Sequence, residues 1–281
     1  MKILVLGSEG QLGRELLKLY PESYGTSHDP SKSNYLPIEQ KDAVVNLIER
    51  EKPGIVINSA AITNVDRCEK EKNYAYSVNG LSVKYMLIAC RNIDAKLVHI
   101  STDYIFDGNE GNYAEDAPPN PINYYGLSKL IGETYANSSE GNLVVRTSGV
   151  FGYSNNFPLF AYRKLKNREV VNAIKGFYSP IHARNLALAI KELIDKGEEG
   201  IVNVAGERVS RTQIAVAIAE YFGLDKSLVK ESDQVSLLQA KRPFDSSLNI
   251  GKAMDLIDFD FYSLKTNLDA LRSSIKEIGI I

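Results

Sequence analysis

The chain has 281 residues, 44% hydrophobic and 24% charged, enough to bury one large core or a core with a smaller lobe. A net charge of −2 and a pI near 6.0, with basic and acidic residues interleaved, argue against a polyanion-binding surface and so against nucleic acid as a partner. No apolar run nears the roughly 20 residues of a bilayer span, and Met1 leads straight into an apolar stretch without signal-peptide regions, which predicts a cytoplasmic protein with no membrane partner.

Residues 2–6 read as the first strand, and an amphipathic helix follows over about 11–20. Between them lies Gly7-Ser8-Glu9-Gly10-Gln11-Leu12-Gly13. Glycines at this spacing let the backbone turn tightly, approach a pyrophosphate and pack the helix on the sheet, while the helix N-terminus offers N–H donors to the anion. Gly7, Gly10 and Gly13 are therefore candidate dinucleotide contacts. A short strand is predicted near 24–27, and its end should distinguish NAD from NADP. There Ser27 and His28 suit a 2′-phosphate and Asp29 suits a bare ribose. The balance favours NADP, with NAD as the alternative.

A helix over 43–51 leads to a strand at Ile55–Asn58, which ends in Ser59-Ala60-Ala61. These small residues would let a cofactor's ribose and nicotinamide lie close to the backbone. Residues 74–91 form the next helix, with Val78, Leu81, Tyr85, Ile88 and Ala89 facing the sheet. A strand over 96–100 runs into Ser101-Thr102-Asp103-Tyr104. A helix over 125–136 opens with Tyr125-Gly126-Leu127-Ser128-Lys129 and precedes a strand at Leu143–Thr147. Alternating strands and helices predict an α/β fold, a Rossmann-type doubly wound parallel sheet, with active groups at the carboxyl ends of the strands.

After Gly152 the pattern loosens into turn residues and aromatics, such as Lys175-Gly176-Phe177-Tyr178-Ser179-Pro180, which read as a substrate lobe. A helix over 184–196 and a strand over 201–204 rejoin the sheet. Ser210-Arg211-Thr212-Gln213 is a capping box that opens a helix running to Phe222, with Gly223 as its stop. An NAD(P)-binding domain over 1–150, rejoined by about 182–204, is thus interwoven with a smaller C-terminal lobe made of 151–181 and 205–281.

The chemistry these residues allow is carbonyl reduction. A ketone receiving hydride becomes an alkoxide, which needs a proton donor and a hydrogen-bonded oxygen. Tyr125 is the proposed donor and Thr102 helps hold the carbonyl. Lys129, four residues on, shares a helix face with Tyr125, where its ammonium would lower the phenol from its ordinary pKa of about 10. Cys68 and Cys90 stand alone and read as buried thiols. His28, His99 and His182 are scattered, so no metal site is indicated.

Over essentially its whole length the sequence resembles the extended short-chain dehydrogenases/reductases, and more closely the dTDP-4-dehydrorhamnose reductase family. The likeness rests on the glycine loop, on Asn58-Ser59-Ala60-Ala61 with Thr63, Val65, Asp66, Cys68 and Glu69, and on Val78-Asn79. It continues through Ser101-Thr102-Asp103-Tyr104-Ile105-Phe106-Asp107-Gly108, through Pro121 with Tyr125, Gly126, Ser128 and Lys129, and through Arg146-Thr147-Ser148. Late in the chain, Ala205-Gly206, Arg242-Pro243 and Ser246-Ser247-Leu248 also fit.

The resemblance implies that Thr102, Tyr125 and Lys129 form the catalytic triad. Gly10, Gln11, Leu12, Ala60, Ala61, Thr63 and Ser101 would contact the cofactor, as would Tyr125 and Lys129. Asp103, Tyr104 and Val65 would line the sugar side. The implied reaction is hydride delivery to C4 of dTDP-4-dehydrorhamnose, or a close dTDP-4-keto-6-deoxy sugar, in dTDP-rhamnose biosynthesis. Arg242 either contacts a diphosphate or simply precedes the Pro243 turn. Some relatives are dimers, which leaves a homodimer open.

Three departures stand out. Gly149 replaces a tryptophan the family often has, which should remove an aromatic wall from the sugar pocket. Lys175-Gly176-Phe177-Tyr178-Ser179-Pro180-Ile181 replaces the common Asp-Gln-x-Gly-x-Pro-Thr, and the family's acidic residue near the adenine is replaced within Tyr35-Leu36-Pro37-Ile38. The first two motivate an alternative, a non-catalytic NADP-binding regulatory subunit similar to that of methionine adenosyltransferase. An epimerase or dehydratase would need acid–base groups beside the triad, and the dehydratase is disfavoured because Asp103-Tyr104 stands where dehydratases have an Asp-Glu pair.

Overall fold

The computed structural model describes residues 2–154, 156–233 and 239–280. Its main sheet contains β1 (Ile3–Leu6), β2 (Tyr24–Gly25), β3 (Ile55–Asn58), β4 (Lys96–Thr102), β5 (Leu143–Thr147) and a late strand, Gly200–Asn203. All are parallel, in the order Gly200–Asn203, β5, β4, β3, β1, β2. Every residue of β1, β3 and β5 is buried, as strands covered on both faces require.

Successive side chains leave the sheet on opposite faces. Ile3 and Val5 join Leu16, Ile57, Val98, Val145 and Ile190 on one side, whereas Leu4 and Leu6 join Ile48, Val56, Met86 and Leu97 on the other. Burying each such side chain contributes about 1.5–3 kcal/mol. A one-residue slip would exchange the two sets, so this pattern specifies register. The expected α/β class, the parallel sheet and the return of the late strand beside β5 all hold.

The smaller lobe has its own core, built from Phe151, Leu159, Leu165, Val171, Ile214, Ile218 and Leu271. Its helix Arg211–Phe222 starts with the expected capping box: Gln213 N donates to Ser210 Oγ at 3.0 Å, and Ser210 N donates to Gln213 Oε1 at 2.7 Å. Gly223 ends it at φ +66°.

Three elements differ from expectation. β2 stops at Gly25 because Ser27 turns to pair with the segment at Tyr35, with Ser27 N donating to Asn34 O. β4 continues through Thr102, so the Ser-Thr pair lies on the strand itself. The helix expected over 74–91 contains a π-helical turn, Tyr76–Leu81, before the regular helix Ser82–Ile93. Its wider turn carries the buried face onto Ser82, Val83, Met86 and Cys90 and leaves Leu81, Tyr85 and Ile88 half-buried.

Candidate active site

After β1 the chain runs to one sheet edge at β2 and then crosses back to β3, so the loops following β1 and β3 meet at the switch point of the sheet. Gly7 sits there at φ +76°, and a Cβ on it would lie 2.7 Å from Ala60 Cα. A Cβ on Gly13 would come within 2.3 Å of Gly7 O, so Gly13 is required for the helix Gln11–Leu19 to pack. Gly10 is different. It is exposed at φ −65°, and a Cβ would meet only Gly7 O, at 3.4 Å.

No side chain caps this helix and no acidic residue lies in its first turn, which leaves its amides for an anion. A glycine the protein does not need, placed over uncapped amides, fits a pyrophosphate. Leu12 is buried, so it can offer such a ligand only backbone; Gln11 is held by Val150 O and Asn156 through its side-chain amide, each at 3.1 Å. Ala60 and Ala61 are half-buried after β3 and Thr63 is exposed.

Beyond β2, Ser27 donates its hydroxyl to Glu9 Oε2 at 2.6 Å, and Lys32 is ion-paired with the same carboxylate. His28 Nδ1 stands 4.0 Å from it. The group that gathers these side chains is therefore Glu9 of the glycine loop, which the sequence reading passed over.

Thr102 ends β4 at the carboxyl edge of the sheet. Its Oγ1 donates to Asp103 Oδ1 at 3.1 Å and accepts from Tyr104 N at 3.2 Å. Tyr125 lies in the first turn of the helix Tyr124–Asn137, which Asn123 caps by accepting from Gly126 N at 2.8 Å. The Tyr125 phenol lies beside the Thr102 hydroxyl, and Tyr104 meets its ring edge-on at 5.7 Å between centroids.

The expected lowering of the Tyr125 pKa is not found. Burial pushes the phenol well above its ordinary value, outweighing the opposing influence of the Thr102 hydroxyl. Lys129 makes no hydrogen bond to it: its buried Nζ donates to Ile100 O at 2.5 Å. Burial lowers Lys129 itself to about 8, with Glu133 holding it up from below.

The remaining candidates have partners within the protein. Ser101 donates to Glu133 Oε2 at 2.5 Å, and Glu133 is paired with Arg146 at 2.6 Å, all three buried. The Asp103 carboxylate is also buried, accepting from Ser148 and Ser246 hydroxyls at 2.6 Å each as well as from Thr102. Desolvation raises its pKa against these bonds. Val65 opens the short helix Val65–Lys70. Arg242 makes two bonds to Asp66, at 3.2 and 3.1 Å, which tie the late segment to that helix.

Two residues named in the sequence without a role, Gly126 and Asn79, shape the site. Gly126 lets the helix Tyr124–Asn137 sit on the turn after Thr102, since a Cβ there would be 2.0 Å from Tyr104 O. Its signal was a glycine inside a predicted helix, which costs about 1 kcal/mol relative to alanine unless packing needs it. Asn79 pins the loop after β3 by accepting from Ile62 N at 2.8 Å and donating to Ser128 Oγ at 3.0 Å.

At Gly149, where an aromatic wall is expected to be lost, another aromatic ring is close by. The Tyr178 ring lies against Gly149, so close that a Cβ there would be 2.9 Å from Cε2. A groove of about 570 Å³ lined by Lys175, Phe177, Gln213, Glu220 and Phe244 contains none of the triad. Among the described residues, no three His, Cys, Asp or Glu side chains gather to hold a metal ion, and no helix is long and apolar enough to cross a membrane.

The sequence model of the RmlD substrate binding domain matches residues 1–277. The chain is similar to the dTDP-4-dehydrorhamnose reductase of Aggregatibacter actinomycetemcomitans, with 34% identity over 270 residues, 89% of this chain and 91% of the relative. Among solved structures it is similar to a hypothetical dTDP-4-dehydrorhamnose reductase from Sulfolobus tokodaii. That likeness has a TM-score of 0.89 and 45% identity, covering 93% of this chain and 97% of the other. It is also similar to the dTDP-4-dehydrorhamnose reductase of Bacillus anthracis in complex with NADP. There the TM-score is 0.88 and the identity 29%, covering 98% and 99% of the two chains.

Proposed function

The chain belongs to the RmlD family of dTDP-4-dehydrorhamnose reductases, and from that premise we propose that it reduces the C4 ketone of dTDP-4-dehydrorhamnose, or of a close dTDP-4-keto-6-deoxy sugar, with Tyr125 as proton donor. A reduced nicotinamide supplies the hydride. The observation that carries this reading is the placing of the Tyr125 phenol beside the Thr102 hydroxyl at the carboxyl end of β4, where open parallel sheets bind ligands.

As the carbonyl carbon is reduced, negative charge grows on its oxygen, and it is held by the Tyr125 hydroxyl and by the Thr102 hydroxyl once that turns from Asp103 to the substrate. Transfer of the Tyr125 proton completes the alcohol. Burial keeps the phenol protonated at neutral pH, so the donor is loaded before reaction. Lys129, one helical turn away, is protonated below about pH 8, and its charge stabilises the phenolate left behind.

For the cofactor, Lys32 provides positive charge near the 2′ position and Glu9 opposes a phosphate there. The likeness to a relative in complex with NADP supports NADP, with NAD retained as the alternative.

The test supplies purified protein with dTDP-4-dehydrorhamnose and NADPH or NADH and follows cofactor absorbance. Turnover is expected, and Tyr125→Phe should lower it by about 10²–10⁴-fold while retaining NADPH binding. A folded, NADPH-binding wild type without turnover would refute the reductase reading and favour the regulatory one.

A further inference from the structure

Tyr178 is buried, and its hydroxyl has no hydrogen-bond partner among the described residues. Buried polar atoms are nearly always paired, so an orphaned one needs an explanation. Tyr20, His99, Thr147, Asn203 and Thr212 also carry such atoms, but the surroundings of Tyr178 set it apart.

It ends the strand Phe177–Tyr178, which pairs antiparallel with Val209–Ser210. Adjacent strand residues point to opposite faces, so Phe177 lines the outer groove while Tyr178 turns inward against Gly149. Both ends of this contact are fastened to the site. Ser148, next to Gly149, donates its hydroxyl to Asp103 at 2.6 Å and accepts from Ser179 N at 3.2 Å. Asp103 in turn adjoins Thr102.

A second line of contacts leads to the proton donor. The Arg211 guanidinium lies 5.0 Å from the centre of the Tyr178 ring and is near enough to the Tyr104 hydroxyl to influence it, and Tyr104 packs edge-on against Tyr125. Phenylalanine would fill the space over Gly149 equally well. The hydroxyl adds nothing to packing that the protein uses, and a phenol can both donate and accept a hydrogen bond.

We propose that Tyr178 is a substrate-positioning residue: its hydroxyl bonds a sugar hydroxyl of the keto substrate, and its ring, seated on Gly149, forms the wall that orients the sugar toward Tyr125. The inference rests on the reductase reading of the same site and assigns sugar recognition to a residue outside the triad.

Tyr178→Phe keeps the ring and removes only the hydroxyl. With dTDP-4-dehydrorhamnose and NADPH, KM for the sugar nucleotide should rise about 10-fold, as loss of one hydrogen bond implies, with kcat and NADPH affinity within about two-fold of wild type. Binding of dTDP-L-rhamnose, measured by calorimetry, should weaken in parallel. Gly149→Ala, whose methyl group displaces the ring, should raise KM with the hydroxyl still present.

Wild-type KM and dTDP-L-rhamnose affinity in Tyr178→Phe would overturn the inference while leaving the reductase reading intact. A change in thermal stability alone would also overturn it, since it would mark a purely structural role. A wild type that neither turns over nor binds dTDP-L-rhamnose would remove the reductase reading and the inference with it.

Discussion

Gly126→Ala puts the seating of the helix that carries Tyr125 to the test. The new Cβ would stand 2.0 Å from Tyr104 O, 2.9 Å from its carbonyl carbon and 3.1 Å from Pro121 Cβ, and the two nearest atoms are backbone. Reaching an ordinary contact of 3.4 Å requires a separation of about 1.4 Å. The helix start cannot yield freely, because Tyr124 N donates to Glu69 Oε1 at 2.6 Å and Asn123 caps the first turn.

Alanine gains about 1 kcal/mol of helix propensity, and overpacking costs about 1–3 kcal/mol, so the net loss is on the order of 0–2 kcal/mol, or at most a few degrees in Tm. The effect on activity should be larger. Moving Tyr125 about 1 Å relative to Thr102 should lower kcat/KM about 100-fold. NADPH affinity should stay within a few-fold, since the glycine loop lies on other elements. The assay is steady-state kinetics beside thermal melting and NADPH titration. A kcat/KM within three-fold of wild type with an unchanged Tm would refute the argument that this close approach positions the proton donor.

Further predictions concern charge. The rate of reduction should fall as pH rises through about 8, where Lys129 loses its proton while Tyr125 keeps its own; a pH profile flat to 10 would exclude a role for the ammonium. Because the folded pKa of Lys129 lies below its unfolded value, the cost of burying its charge is present below pH 8 and relieved as pH rises toward 10.5. Lys129→Met should therefore be more stable than wild type at pH 7, on the order of 1–3 kcal/mol, with the gap closing by pH 10 in denaturant titrations. Glu133→Gln leaves Arg146 buried without its carboxylate, so stability should drop by about 3 kcal/mol, and the alkaline limb of the rate profile should move to lower pH. Glu9→Gln should shift the NADPH-to-NADH affinity ratio about 5–10-fold toward NADPH, read by fluorescence titration; an unchanged ratio would place the 2′ position elsewhere.

The sequence by itself determined the parallel sheet and the glycine loop that follows its first strand. β3 and β5 were legible to the residue because each is an apolar run buried on both faces. The glycine loop, the capping box at Ser210 and the helix carrying Tyr125 and Lys129 were legible because a turn, a cap and a four-residue repeat are written in neighbouring residues. The π-helical turn at Tyr76–Leu81 was not, because the apolar periodicity around it fits a regular helix equally well.

Tertiary structure alone decided which groups are committed within the protein and which are left over. Asp103 is matched to Ser148 and Ser246, 45 and 143 residues away, and Arg242 to Asp66 at a separation of 176. Burial, which depends on the whole packed lobe, raises the phenol that helical spacing alone predicts to be lowered. The same lobe brings Tyr178 onto Gly149. Periodicity and turn chemistry act over a few residues and can be read along the chain, whereas desolvation and long-range hydrogen bonds arise only when distant segments close on one another.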